Sequence, residues 1–199
     1  ENAYRTAHPA RARGPDTTRG LYRLWPRSPY SQKSMLWRRL SVVVVMKNMI
    51  RAHGKAYDAI HDLQPKARVG TAINYRGFKA ASAWPLNGWA AKALHILFND
   101  LFPRTLKDGV FNTIIKKERI PEVAGKLDFL GLNYYTIDLV RFAPMARGDL
   151  FTQRFYPEEA LLSETGFIAH VPQGMADCVQ WGAQYGLPMI ITENGVEDS

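Results

Sequence analysis

The period of the hydrophobic positions changes several times along the chain, and each change marks an element. From about Trp37, the residues Val45, Met46, Met49, Ile50, His53, Ala56, Tyr57, Ile60 and Leu63 recur at steps of three and four. That spacing predicts one face of a long amphipathic helix, which ends before Pro65. His53 lies on the apolar face and reads as a core histidine, not a ligand. Arg68 to Asn74 follow, with Val69, Thr71 and Ile73 in a β-prone run that predicts a strand. Asn74 at its end either reaches the strand-end surface or starts a turn. Helical pieces come next, with Leu94, Leu97, Phe98 and Leu101 as a clear stripe. A weaker stripe runs from Leu106 to Ile120, before Pro121 breaks it. Trp84 and Trp89 flank Pro85 in a predicted loop, read as packing residues in preference to exposed stacking surfaces.

Asp128 to Tyr135 is a second apolar run and predicts another strand. Thr136 to Val171 then shows little periodicity, and structureless connections beyond ~12 to 15 residues are either functional or disordered. Pro172 opens a predicted helix at its first position, with Met175, Val179 and Gly182 toward the core and Gly186 as its left-handed stop. Leu187 to Thr192 is a short apolar run bounded by turn residues, the mark of a strand buried on both faces. Helix, strand, helices, strand, helix, strand is the order of right-handed βαβ crossovers in a parallel sheet. Glu193, followed by Asn194 and Gly195, sits at the carboxyl end of the last strand, where such sheets bind ligands. A carboxylate there is costly unless something uses or satisfies it.

Composition adds three constraints. With 46% hydrophobic residues in 199, the chain can bury a sizeable core. The net charge of +8 raises the question of nucleic acid, and its distribution answers it. Through Lys55 there are 12 Lys and Arg against 2 acids, a net +10; beyond it 14 face 16, a net −2. The excess belongs to the first quarter, without the basic groove and interleaved aromatics of a nucleic-acid reader. Residues 1–34 are rich in Arg and Pro and read as an irregular basic segment, with a transit peptide or a docking arm for an anionic partner as alternatives. The single Cys178 rules out an internal disulfide framework, fits a reducing, cytoplasmic setting, and reads as a buried small hydrophobe on the helix after Pro172. The five histidines show no metal spacing, and Val42 to Met46, the longest apolar run, is far shorter than the ~18 to 20 residues of a membrane span.

Ile191, Thr192, Glu193, Asn194 and Gly195 resemble the nucleophile motif of family 1 glycoside hydrolases, the β-glucosidase-like enzymes. Leu127 to Thr136, reading Leu-Asp-Phe-Leu-Gly-Leu-Asn-Tyr-Tyr-Thr, resembles the same family's sixth barrel strand. Arg51 to Tyr57 is similar to its fourth helix. The resemblance implies an α/β fold, a partial (β/α)8 TIM barrel over residues 35–199, holding about strands 5 to 7 with their helices. A closed barrel takes ~250 residues, so a fragment of less than half a barrel is expected. The chain's start at Glu1 and its end six residues after Glu193 point the same way.

What the family implies for chemistry is a retaining β-glycosidase acting on terminal β-linked sugars, with no metal or organic cofactor. Such enzymes use two carboxyl groups ~5 to 5.5 Å apart, one a nucleophile and the other an acid and then a base. Glu193 is the expected nucleophile, Tyr135 the phenol that hydrogen-bonds it from the next strand, and Asn133 a substrate-pocket residue on the same face. Tyr134, on the other face, is expected to pack against helices. The family's Asn-Glu-Pro acid/base motif is absent, with Glu1 beside Asn2 as a candidate remnant. Its sugar-gripping Gln of the first strand, the His and Trp of the third, and the Trp and Glu after the eighth also have no counterpart here. The alternative reading is therefore a truncated or degenerate homologue that binds sugar weakly and catalyses nothing.

Overall fold

The computed structural model describes residues 32–195. Of the segment expected to be irregular, residues 1–31 lie outside the described residues, and Gln32 already belongs to a helix. That helix, α1 (Gln32–Leu63), ends one residue before Gln64 and Pro65, as the proline requires. Its buried face is narrower than the sequence pattern. Ile50 is fully buried and Met46 packs on the core, with His53 and Tyr57 half-buried, whereas Val45, Met49, Ile60 and Leu63 face outward. Among the described residues, neighbouring structure covers one side of the helix, and the other apolar positions from Val42 onward are exposed.

The sheet grows around one long central strand. β1 (Gly70–Ala80) pairs in parallel with β4 (Phe129–Phe142), which pairs in parallel on its other edge with β8 (Met189–Asn194). Both crossovers carry helices, as the alternation predicted, and among the described residues the sheet does not close into a barrel. β1 and β4 each run several residues beyond the expected ends at Asn74 and Tyr135, so Asn74 lies within a strand and starts no turn.

The β1 to β4 crossover contains α2 (Pro85–His95), a π-helical turn at Ile96–Asp100, and α3 (Leu101–Asp108). Trp84 and Trp89, expected in a loop, are the residue before α2 and a residue of its first turns. Trp84 meets Phe142 edge-on and Trp89 is exposed. The wide π turn shifts the helical phase, which buries Asn99 and Asp100 and leaves Phe98, a member of the expected apolar stripe, half exposed. The weaker stripe after Leu106 is no helix. Gly109 takes the left-handed conformation (φ 71°) and stops α3, and β2 (Val110–Asn112) and β3 (Lys117–Arg119) form a hairpin.

Thr136 to Val171, expected to be largely structureless, is the largest correction. β4 continues through Phe142, β5 (Thr152–Phe155) returns antiparallel beside its far end, and β6 (Leu161–Leu162) pairs with β7 (Ala169–His170). β5, β6 and β7 are only four, two and two residues long, too short for an alternating pattern to show in the sequence. α4 (Gly174–Ala183) starts two residues after Pro172, and Gly186 (φ 64°) makes the left-handed stop. Cys178 is fully buried on α4, and Gly174 lies so close to Tyr134 that a Cβ there would stand 2.0 Å from the phenol oxygen. The core, from Ile50 and Ile73 through Leu130, Leu132 and Tyr134 to Trp181, therefore sits between the helices and one face of the sheet.

Candidate active site

The opposite face of the sheet carries the site. In a parallel ladder, residues in register project to the same side, and Asn74, Asn133 and Glu193 form one row across β1, β4 and β8. The next row, Tyr75, Tyr134 and Asn194, points the other way, where Tyr75 and Tyr134 are buried. Tyr134 packs among the helices as expected, and its hydroxyl donates to the Val171 carbonyl. Asn194 donates to the Tyr134 carbonyl at 2.9 Å, which ties the end of β8 to β4.

Two irregularities flank the Glu193 row. Between Leu132 and Asn133 of β4, the partner strand advances two residues, so Thr192 is an extra residue in β8. Between Tyr134 and Ile137, β4 advances three residues while β1 advances two, so Tyr135 and Thr136 stand opposite Arg76. Bulges of this kind re-aim side chains. The Tyr135 hydroxyl donates to Glu193 Oε2, and the Thr192 hydroxyl donates to Asn133 Oδ1. Donation to the carboxylate raises the pKa of the Tyr135 phenol above its ordinary value, with desolvation adding to it. Glu193 itself is exposed, and Asn133 and Tyr135 are half-buried.

Beyond Tyr135, toward the carboxyl ends of the strands, lies a cleft of about 210 Å³ lined by Asn74, Tyr75, Arg76, Tyr135, Thr136, Phe167 and Ile168. Asn133 and Glu193 stand side by side, and neither lines it; Tyr135 alone joins the cleft to the carboxylate. The wall residue Arg76 was not anticipated from sequence. Its Nε and Nη2 grip Asp138 at 2.8 and 2.7 Å, and Asp138, fully buried, also takes a longer bond of 3.4 Å from Arg154. Asn99, delivered by the π turn, accepts from the Arg76 backbone N–H (3.1 Å) and donates to its carbonyl (2.9 Å). It satisfies the two groups that the bulge removes from the ladder. The signal for this cluster lay in a buried Asp at the far end of β4 and an Asn out of phase with its helix, and both depend on irregular geometry.

Among the described residues, no group of three His, Cys, Asp or Glu could hold a metal ion, and no helix is long and apolar enough to cross a membrane. Fold and site together define a parallel α/β protein with a strand-end carboxylate, held by a phenol from the neighbouring strand. The model of glycosyl hydrolase family 1 matches residues 36–199, and the chain belongs to that family. Beta-glucosidase A of Thermotoga maritima is 28% identical over 167 residues, which are 74% of this chain and 35% of that protein. A beta-galactosidase of Sulfolobus acidocaldarius is 30% identical over 165 residues, 76% of this chain and 31% of that one. The structure of a beta-glycosidase from Pyrococcus horikoshii superimposes with a TM-score of 0.68 at 29% identity, over 77% of this chain and 35% of the other. The chain thus spans about a third of the length of the curated relatives it matches.

Proposed function

We propose that this chain supplies the nucleophile-bearing part of a retaining β-glycosidase that acts on terminal β-linked sugars. The observation that carries the reading is the hydrogen bond from Tyr135 to Glu193 at the carboxyl end of a parallel sheet, in a chain of family 1. Glu193 attacks the anomeric carbon, the bond to the leaving oxygen breaks, and a covalent glycosyl-enzyme forms on the carboxylate. Water then releases the sugar. The phenol of Tyr135 orients the Glu193 carboxylate toward the open face of the sheet. Asn133, held by Thr192, presents its amide nitrogen to the same face. The proton for the leaving group must come from a carboxyl group outside these residues, since no Asn-Glu-Pro triplet occurs in the chain. That absence is also what favours the second reading, a homologue that binds sugar and does no chemistry.

The test has two arms. The purified 199-residue chain is expected to show no turnover of an alkyl β-glucoside, whose poor leaving group needs the missing general acid, worth ~10² to 10⁴ in rate. In an intact enzyme carrying this segment, Glu193→Ala should abolish turnover, and azide should partly restore it by filling the space of the lost carboxylate. An intact enzyme that keeps full activity after Glu193→Ala would overturn the assignment.

A further inference from the structure

The cleft beyond Tyr135 has its own chemistry. Arg76 alone carries a charge among the residues that line it. Its countercharge, Asp138, is 0% exposed and is shared with Arg154, so two guanidinium groups face one carboxylate and one positive charge is left over. Arg76 spends Nε and Nη2 on Asp138 and on the Tyr156 hydroxyl, and its Nη1 has no partner among the described residues. The guanidinium is therefore fixed in place with two N–H donors to spare. Across the cleft, Phe167 is 68% exposed, and its backbone carbonyl accepts from the same Tyr156 hydroxyl that Arg76 contacts. An exposed aromatic ring and a guanidinium are thus held on one frame.

The cleft's place relative to Glu193 says which part of a glycoside it meets. β8 and β1 flank β4, so Arg76 lies two strand spacings from Glu193, roughly 10 Å away. It also lies further toward the carboxyl ends than the Asn74, Asn133 and Glu193 row, on the side from which a substrate would enter. A sugar over Glu193 would have its departing group in the cleft, and the span reaches one ring beyond the bond to be broken. Resting on the β-glycosidase reading above, we propose that this cleft seats the leaving group and selects one that is a single ring bearing a carboxylate. Phe167 supplies the apolar face for the ring, and Arg76 Nη1 donates to the carboxylate. A hydrogen bond from a guanidinium N–H to an anion is stronger than one to a neutral acceptor.

The experiment is a binding titration of the 199-residue chain, followed by ligand-observed NMR, with three probes: 4-carboxyphenyl β-glucoside, its 4-carboxamide isostere and free 4-hydroxybenzoate. The carboxylate glucoside is expected to bind at least tenfold tighter than the carboxamide at low salt. That preference should disappear in Arg76→Gln, while Phe167→Ala should weaken both glucosides alike. Equal affinity for the carboxylate and carboxamide glucosides overturns the anion preference and leaves the glycosidase reading intact. The same preference surviving in Arg76→Gln overturns the role of Arg76. Failure of free 4-hydroxybenzoate to compete with the carboxylate glucoside overturns the cleft as the seat of the departing ring, whereas the glycosidase reading fails separately, on full activity of an intact enzyme after Glu193→Ala. The comparison within the unaltered chain decides the question even if Arg76→Gln does not fold.

Discussion

One hydrogen bond, from Tyr135 to Glu193, links the strongest sequence motif to the geometry around it. A hydrogen bond to a charged group is worth ~1.5 to 3 kcal/mol. Replacing Tyr135 with Phe keeps the ring and removes the donor. In an intact enzyme carrying this segment, kcat/KM should fall about 10- to 100-fold, with little change in thermal stability because the pair is exposed. Donation to Glu193 raises the phenol's pKa above its ordinary value, so the donor survives to higher pH than a free tyrosine. The alkaline limb of the pH–rate profile should accordingly fall at the same pH in the wild type and in Tyr135→Phe. A limb that moves with the substitution would show that Tyr135 itself titrates in that range.

Asp138 is where three strands are tied together. It sits on β4, pairs with Arg76 of β1 and takes a further bond from Arg154 of β5. Removing one partner of a buried pair leaves the other charge without compensation, at a cost of ~3 to 5 kcal/mol. Asp138→Ala should lower the unfolding free energy by about that amount, measured by urea denaturation. Arg154→Ala should cost much less, because its contact is longer and the side chain is more exposed. The π turn serves the same tie from behind, since Asn99 holds the Arg76 backbone in the bulge.

Over the whole molecule, three buried phenols and a buried thiol set the response to alkali. Burial pushes the Tyr134 phenol from 10.0 to about 12 and the Cys178 thiol from 9.0 to about 12, and raises the Tyr75 and Tyr185 phenols further still. All four folded values lie above the unfolded ones. The stability they contribute is therefore complete below about pH 9 and is lost as pH rises toward 12. The melting temperature should be level up to pH 9 and decline between 9 and 12, with Cys178 alkylated only as the fold opens. Alkylation of Cys178 at the rate of a free thiol in the folded chain would contradict this. β8 is the weak side of the molecule: Ile190 and Ile191 are 50% and 55% exposed although the strand reads as buried on both faces. Among the described residues it pairs only with β4, so its outer edge carries unpaired backbone groups.

The sequence by itself determined the parallel alternation, the strand end that bears Glu193, and the side of β4 on which Asn133 and Tyr135 stand. The helices follow from steps of three and four, the strands from short apolar runs bounded by turn residues, and the shared side of Asn133 and Tyr135 from the alternation of a strand. It also identified Gly186 as a left-handed stop and Cys178 as a buried residue, because both depend on local chemistry alone. Tertiary structure alone decided the rest. The bulges at Thr192 and at Tyr135–Thr136 turn a shared face into a contact, and no period encodes an inserted residue. The π turn moves Asn99 out of its expected phase and onto the Arg76 backbone. Asp138 joins Arg76 and Arg154 across three strands, where the desolvation of a buried charge demands partners that lie far apart in the chain.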